Sequence, residues 1–187
     1  MGYLTHLLSY EFVSKRVDMA WSEVLNAIEK QFASRQFAIE YAMAELLLVD
    51  EYPQALLELA SLDKGDDIHP YIDELAAMEP VLPEKECSDK LLYLVLAWLH
   101  EHIENYPDPL GVIEEVYADF DYPEQISGFV RYMPLEEPDL GSVEKNNARL
   151  YEKWKLYLMS CSHYQRKEGA GQLFNEAFPN PLNNRVL

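Results

Sequence analysis

Cysteine is nearly absent from this 187-residue chain: Cys87 and Cys161 are the only two and lie far apart. That excludes a disulfide-built scaffold and any CxxC redox or metal motif. It fits reduced thiols, and a cytoplasmic location is expected. Glycine is scarce too, with seven scattered residues. No GxGxxG, Walker-type loop or GxSxG element is present, so no phosphate cradle or nucleophile elbow is legible. Long hydrophobic runs are missing: the longest, Leu91 to Leu99, falls well short of the roughly 20 residues that cross a bilayer. The opening Met1–His6 has neither a basic n-region nor an apolar h-region, and His6 stands where a myristoylation signal needs Ser or Thr. No export or membrane insertion is expected.

Basic residues are the other shortage, 15 Lys and Arg against 33 Asp and Glu, for a net charge of −18. The imbalance is local. Residues 51–140 carry 22 acids against Lys64, Lys85, Lys90 and Arg131, which already accounts for −18; residues 1–50 and 141–187 contribute −3 and +3. Such a field repels nucleic acid and anionic membranes and attracts basic partners. With 49% hydrophobic and 12% aromatic residues, the acidic stretch is too apolar for a disordered tail.

What is present is helical periodicity from end to end, and the fold class expected is all-α, an irregular helical bundle or stacked helical hairpins. Helices are expected near Leu4–Val13 and Ser22–Phe32. Another is capped by Ser34 and ends near Asp50, and one follows from Pro53 to the closing Lys64–Asp67 stretch. His69–Met78 forms a shorter helix, and Glu79–Cys87 reads as a loop. Ser88 is expected to cap the most apolar and central helix, residues 89–105, with Trp98 buried in it. Asp108-Pro109 opens a further helix, a short turn follows Pro123, and Ser142 caps the last, with a stripe of Val143, Leu150, Tyr151, Trp154, Tyr157 and Leu158. Residues 1–158 read as one domain and residues 159–187 as a loosely attached tail, with a helical turn at Leu173–Phe178.

Three groups carry candidate chemistry. His100 and Glu104 at i, i+4 share a helix face, but His102 points elsewhere and no third ligand is supplied, so no metal or cofactor site is expected. Cys161 and His163 lack the surroundings of a nucleophilic pair and read as structural. The third group interleaves acids with aromatics in Tyr117–Glu124 and Phe129–Pro134. There Phe120, Phe129 and Val130 read as core, and Arg131 as an ion-pairing tie. Glu115 and Asp119 repel one another, and Asp119 sits at the negative end of its helix dipole, an arrangement that stability alone does not favour. Glu115, Asp119, Asp121, Tyr122, Glu124 and Tyr132 are therefore the candidate partner-binding residues, suited to Arg and Lys through charge-assisted hydrogen bonds and cation–π contacts.

The run Ala118-Asp119-Phe120-Asp121-Tyr122-Pro123-Glu124, then Phe129-Val130-Arg131-Tyr132-Met133-Pro134 and Leu150-Tyr151-Glu152-Lys153-Trp154, resembles a bacterial family catalogued as domain of unknown function 2247. The likeness extends from the helix at Trp21 to about Leu158. It implies a small bacterial cytosolic protein with no assigned reaction, and no catalytic residue is carried over. By analogy with acidic immunity proteins, the expectation is a non-enzyme that binds a basic protein partner such as a toxin domain, and neither nucleic acid nor membrane. The alternatives are a helical adaptor with a hydrophobic contact surface and an enzyme that uses a carboxylate cluster with a metal. The sequence sets no oligomeric state.

Overall fold

In the computed structural model the described residues are 4–63, 65–134 and 137–166. Among them the chain is all-α. The helices are α1 (Tyr10–Ser14), α2 (Trp21–Glu29), α3 (Arg35–Leu46), α4 (Gln54–Ala60), α5 (His69–Met78), α6 (Glu84–Glu101), α7 (Pro109–Asp119), α8 (Glu124–Ser127) and α9 (Val143–Ser160). Short 3₁₀ turns follow α6 at Ile103–Asn105 and α9 at Cys161–Tyr164. Only an isolated parallel bridge, Leu8 with Ala33, resembles a sheet among the described residues.

Helix starts follow from local chemistry. The hydroxyl oxygens of Ser34 and Ser142 accept hydrogen bonds from the backbone N–H groups of Phe37 (3.4 Å) and Lys145 (3.2 Å), and Asp108 does the same for Gly111 (3.2 Å). Ser9 caps α1 through Phe12 N–H. The expected helix near Leu4–Val13 is therefore shorter. The residues before Ser9 instead donate N–H groups across to α2's exit, from His6 to Gln31 O (2.8 Å) and from Leu8 to Phe32 O (2.9 Å).

Several expected boundaries need correction. The central helix begins at Glu84 rather than Ser88, because Pro83 is its N-cap. Glu84 and Glu86 favour its positive end, and the Lys85–Asp89 pair spans its first turns. It ends at Glu101, where His102 Nδ1 lies 2.8 Å from Trp98 O, and residues 103–105 tighten into 3₁₀ geometry. Pro53 is the N-cap of α4 rather than its first residue, and α4 stops at Ala60, well before Lys64. α3 stops at Leu46, short of Asp50.

The core confirms α6 as the apolar centre: Leu91 to Ala97 and Leu99 are all buried. α6 packs against α2 and α9, while α3 with α4, α4 with α5, α2 with α5 and α8 with α9 form further packed pairs. Trp98 is only half-buried, its ring stacked on His102 at 4.0 Å between centroids. Trp154 of α9 is the fully buried tryptophan. Val143 leaves the expected stripe, 69% exposed in the first turn of α9. Phe120, Phe129 and Val130 are buried as expected.

α9 passes the boundary expected at Leu158 without a break. Cys161 is buried, Tyr164 lies 5.7 Å from the Tyr93 ring, and Arg166 donates its N–H to Arg16 O (2.7 Å) and pairs with Asp18. The rest of the expected tail, residues 167–187 with the turn at Leu173–Phe178, lies outside the described residues.

Candidate functional site

Helix α7 organises the acidic–aromatic region. Its N-cap carboxylate, Asp108, also receives the Arg131 guanidinium, with Nη1 to Oδ1 at 3.0 Å and Nη2 to Oδ2 at 2.8 Å. The same guanidinium donates from Nε to Glu114 Oε1 at 2.9 Å. Arg131 is thus the structural tie expected of it. Its hydrogen bonds hold the Asp108 carboxyl below the usual range, and the two carboxylates push Arg131 upward. Gly111 makes the arrangement fit: a Cβ there would stand 2.6 Å from Asp108 Oδ2 and 3.1 Å from Arg131 Nη2.

The helix ends in a turn that bends the chain sharply. Tyr122 donates its N–H to Tyr117 O (2.8 Å) and Asp121 to Ala118 O (3.1 Å), the paired bonds of a Schellman cap. Asp121 and Tyr122 both take φ of 59°, the left-handed region that glycine usually fills. Two consecutive non-glycine residues there cost about 1–2 kcal/mol each. The strained turn leaves Tyr122 exposed, edge-on to the buried Tyr117 ring at 5.3 Å, and Tyr132 lies 6.1 Å from the same ring. Tyr117 donates its hydroxyl to Met133 Sδ at 3.9 Å. Desolvation and then the neighbouring tyrosines raise the Tyr132 phenol, so it stays a neutral donor.

The six candidate residues do not form one patch. Glu115, Tyr122 and Tyr132 line an open cavity of about 880 Å³ beside Asp108, Glu114 and Arg131. Asp121 and Glu124 line a neighbouring cavity of about 710 Å³ that also contains Lys30 and Lys85. Asp119 borders a smaller one of about 220 Å³ with Glu29 and Lys30. Phe120 marks the division: its ring stacks on Phe32 at 5.3 Å, and Lys30 Nζ lies 5.6 Å from it. Sequence spacing put the acids close along the chain. Glu115 and Asp119 already line different cavities on α7 itself, and beyond the cap Tyr122 joins the cavity of Glu115 while Asp121 joins that of Glu124.

The other candidates resolve individually. Glu104 sits in the 3₁₀ turn, beyond the end of α6, so the i, i+4 face assumed for His100 and Glu104 does not form. The His100 ring instead meets Trp154 edge-on at 5.2 Å. Among the described residues no three His, Cys, Asp or Glu side chains gather as a metal site. Burial pushes the Cys161 thiol up, opposite to what activates a nucleophile, and the His163 ring lies against Tyr164 at 4.0 Å.

Sequence reasoning missed the carboxylates around the start of α2. Glu23, 3% exposed, accepts from Ala20 N–H (2.8 Å) and Lys90 Nζ (2.7 Å). Glu79 accepts from Trp21 N–H (2.6 Å) and Glu45 from Trp21 Nε1 (3.0 Å). Burial raises both Glu45 and Glu79, against the hydrogen bonds that they accept. Glu23 at the third helical position was the available signal, half of a capping box without its Ser or Thr.

No helix among the described residues is long and apolar enough to cross a membrane. No curated protein and no solved structure matches the chain. One family match spans residues 10–161, a wider stretch than the Trp21–Leu158 likeness read from the motifs around α7 and α9. The chain therefore belongs to the bacterial family DUF2247, described as an uncharacterized protein conserved in bacteria.

Proposed function

We propose that this chain is an acidic binding protein that captures a basic protein partner at the cavity beside α7, most concretely an immunity-type inhibitor that masks the basic face of a toxin domain, and that it is not an enzyme. The observation that carries this reading is that Tyr122, set by a strained turn, and Tyr132 line one open cavity together with Glu114 and Glu115. An Arg or Lys entering there meets the exposed Glu115 carboxylate and two tyrosine faces, a combination of charge and cation–π attraction. Arg131 neutralises part of Asp108 and Glu114, so Glu115 is the carboxylate left to a partner. The wider field of −18 would speed encounter without choosing the contact.

Photo-crosslinking tests it. With a photoreactive phenylalanine in place of Tyr122 in the native bacterium, a covalent adduct to a protein with a basic surface is expected. The same probe at Tyr71, in α5, should give none. Adducts at both positions, or at neither, overturn the reading.

A further inference from the structure

The end of α3 carries an unpartnered apolar surface remote in sequence from α7. Met43, Leu47, Leu48, Val49 and Tyr52 are all exposed, between 44% and 63%, within ten positions. Single exposed apolar residues are ordinary, but five together in and around a turn are not, since turns favour polar and glycine residues. Met43 and Leu47, one helical turn apart, share a face with Glu40. Leu48 and Val49 continue the surface beyond the helix.

Charge indicates what covers it. Besides Glu45, which accepts from Trp21 Nε1, the stretch Gln36–Asp63 holds five acids, Glu40, Asp50, Glu51, Glu58 and Asp63, and no basic residue. Asp50 and Glu51 are exposed in the same turn as Leu48 and Val49. The last turn of α3 has no basic side chain, so its carbonyl end presents uncompensated negative potential to the same place. A second copy would bring the same acidic collar and be repelled. Another exposed apolar pair, Leu156 and Met159 on α9, is flanked by Lys153 and Lys155 and selects no such chemistry.

We propose that the α3–α4 corner docks a basic amphipathic helical segment of a partner protein, with apolar side chains on Leu47–Val49 and Lys or Arg on Asp50, Glu51 and the α3 carbonyl end. Recognition of an amphipathic helix by its apolar face and its charged flanks combines these two features. The inference does not depend on the α7 cavity.

A fluorescent Leu/Lys peptide of about 18 residues, long enough for an amphipathic helix, is the probe. Its controls are a scrambled peptide of the same composition and a Leu/Glu counterpart. Met43→Ser/Leu47→Ser/Leu48→Ser and, separately, Asp50→Lys/Glu51→Lys should each weaken binding at least about tenfold with helical content unchanged. Leu156→Ser/Met159→Ser should stay within about threefold of the parent. The scrambled and Leu/Glu peptides should bind at least about tenfold more weakly to the parent protein. If the serine variant fails to fold, the lysine variant decides. Equal binding by the corner variants, or by the scrambled peptide, overturns the proposal. So does sedimentation showing a parent dimer that the serine variant dissociates, which would make the corner a self-interface.

Discussion

At the scale of single residues, the turn after α7 places conformational cost where recognition is proposed. Asp121 and Tyr122 occupy left-handed backbone that glycine enters freely. Asp121→Gly should therefore stabilise the fold by about 0.5–1 kcal/mol, read as a higher urea midpoint with unchanged slope. A destabilising result would mean that the aspartate side chain holds the turn. Arg131 tests the opposite sign. Its bidentate pairing with Asp108 and contact with Glu114 place it above an ordinary surface ion pair, and Arg131→Ala should cost about 1–2 kcal/mol, with the loss shrinking in high salt. A salt-independent loss would assign Arg131 to packing rather than charge. Neither feature was fully legible in the sequence. Arg131 could be read as a tie because bases are so scarce around it, but the positive φ of Tyr122 left no compositional mark.

At the scale of elements, capping chemistry was the most readable layer. Ser34, Asp108 and Ser142 each cap the helix expected of them, since an N-cap is written in one or two adjacent residues. Starts that depend on proline were less readable. Pro83 and Pro53 end extended segments as N-caps, so α6 begins four residues before Ser88 and α4 one residue after Pro53. The partner-binding candidates were legible as a cluster along the chain, but their distribution was not: Glu115 shares a cavity with Tyr122 and Tyr132, while Asp119, Asp121 and Glu124 line others, because helix packing rather than chain proximity decides which surface a side chain joins. Apolar periodicity located α6 correctly as the core, although Trp98 is only half-buried there, while Trp154 is buried as its place on the α9 stripe implied. Leu94 is fully buried in α6, and Leu94→Ala should destabilise by about 2–5 kcal/mol in denaturant titration. A loss under about 0.5 kcal/mol would contradict α6 as the centre of packing.

At the scale of the whole molecule, pH should act on two sets of carboxyls in opposite directions. Burial raises Glu45 and Glu79 above their usual range, so the stability tied to them is present at acid pH and declines as pH rises through their folded values. Asp108, Glu137 and Asp139 are lowered, chiefly by hydrogen bonds from Arg131, Lys153 and Asn146 respectively; their contribution is present above the ordinary carboxylate range and lost as pH falls through their folded values. Melting temperature should therefore pass through a maximum in mildly acidic solution, falling on the alkaline side as Glu45 and Glu79 ionise and again in stronger acid as Asp108, Glu137 and Asp139 are protonated. Glu45→Gln keeps an acceptor for Trp21 and should reduce the drop on the alkaline side. An unchanged profile in that variant would remove Glu45 from the account. The acidity of the middle segment was plain from composition. Its division among separate surfaces, with Lys30 and Lys85 set into one of them, depended on tertiary packing that no local pattern encodes.

The central claim is that the α7 cavity, rather than the diffuse acidic field, contacts the partner. The most direct measurement compares association and dissociation of the partner captured at Tyr122 for two matched variants at several salt concentrations. Glu115→Gln/Tyr122→Ala/Tyr132→Ala alters the cavity wall, whereas Asp119→Asn/Asp121→Asn/Glu124→Gln removes more charge from the neighbouring surfaces. The cavity variant should raise the dissociation rate at least about tenfold, and the other should only slow association, by an amount that salt erases. Equal losses in both variants, or a larger loss in the second, would contradict the claim.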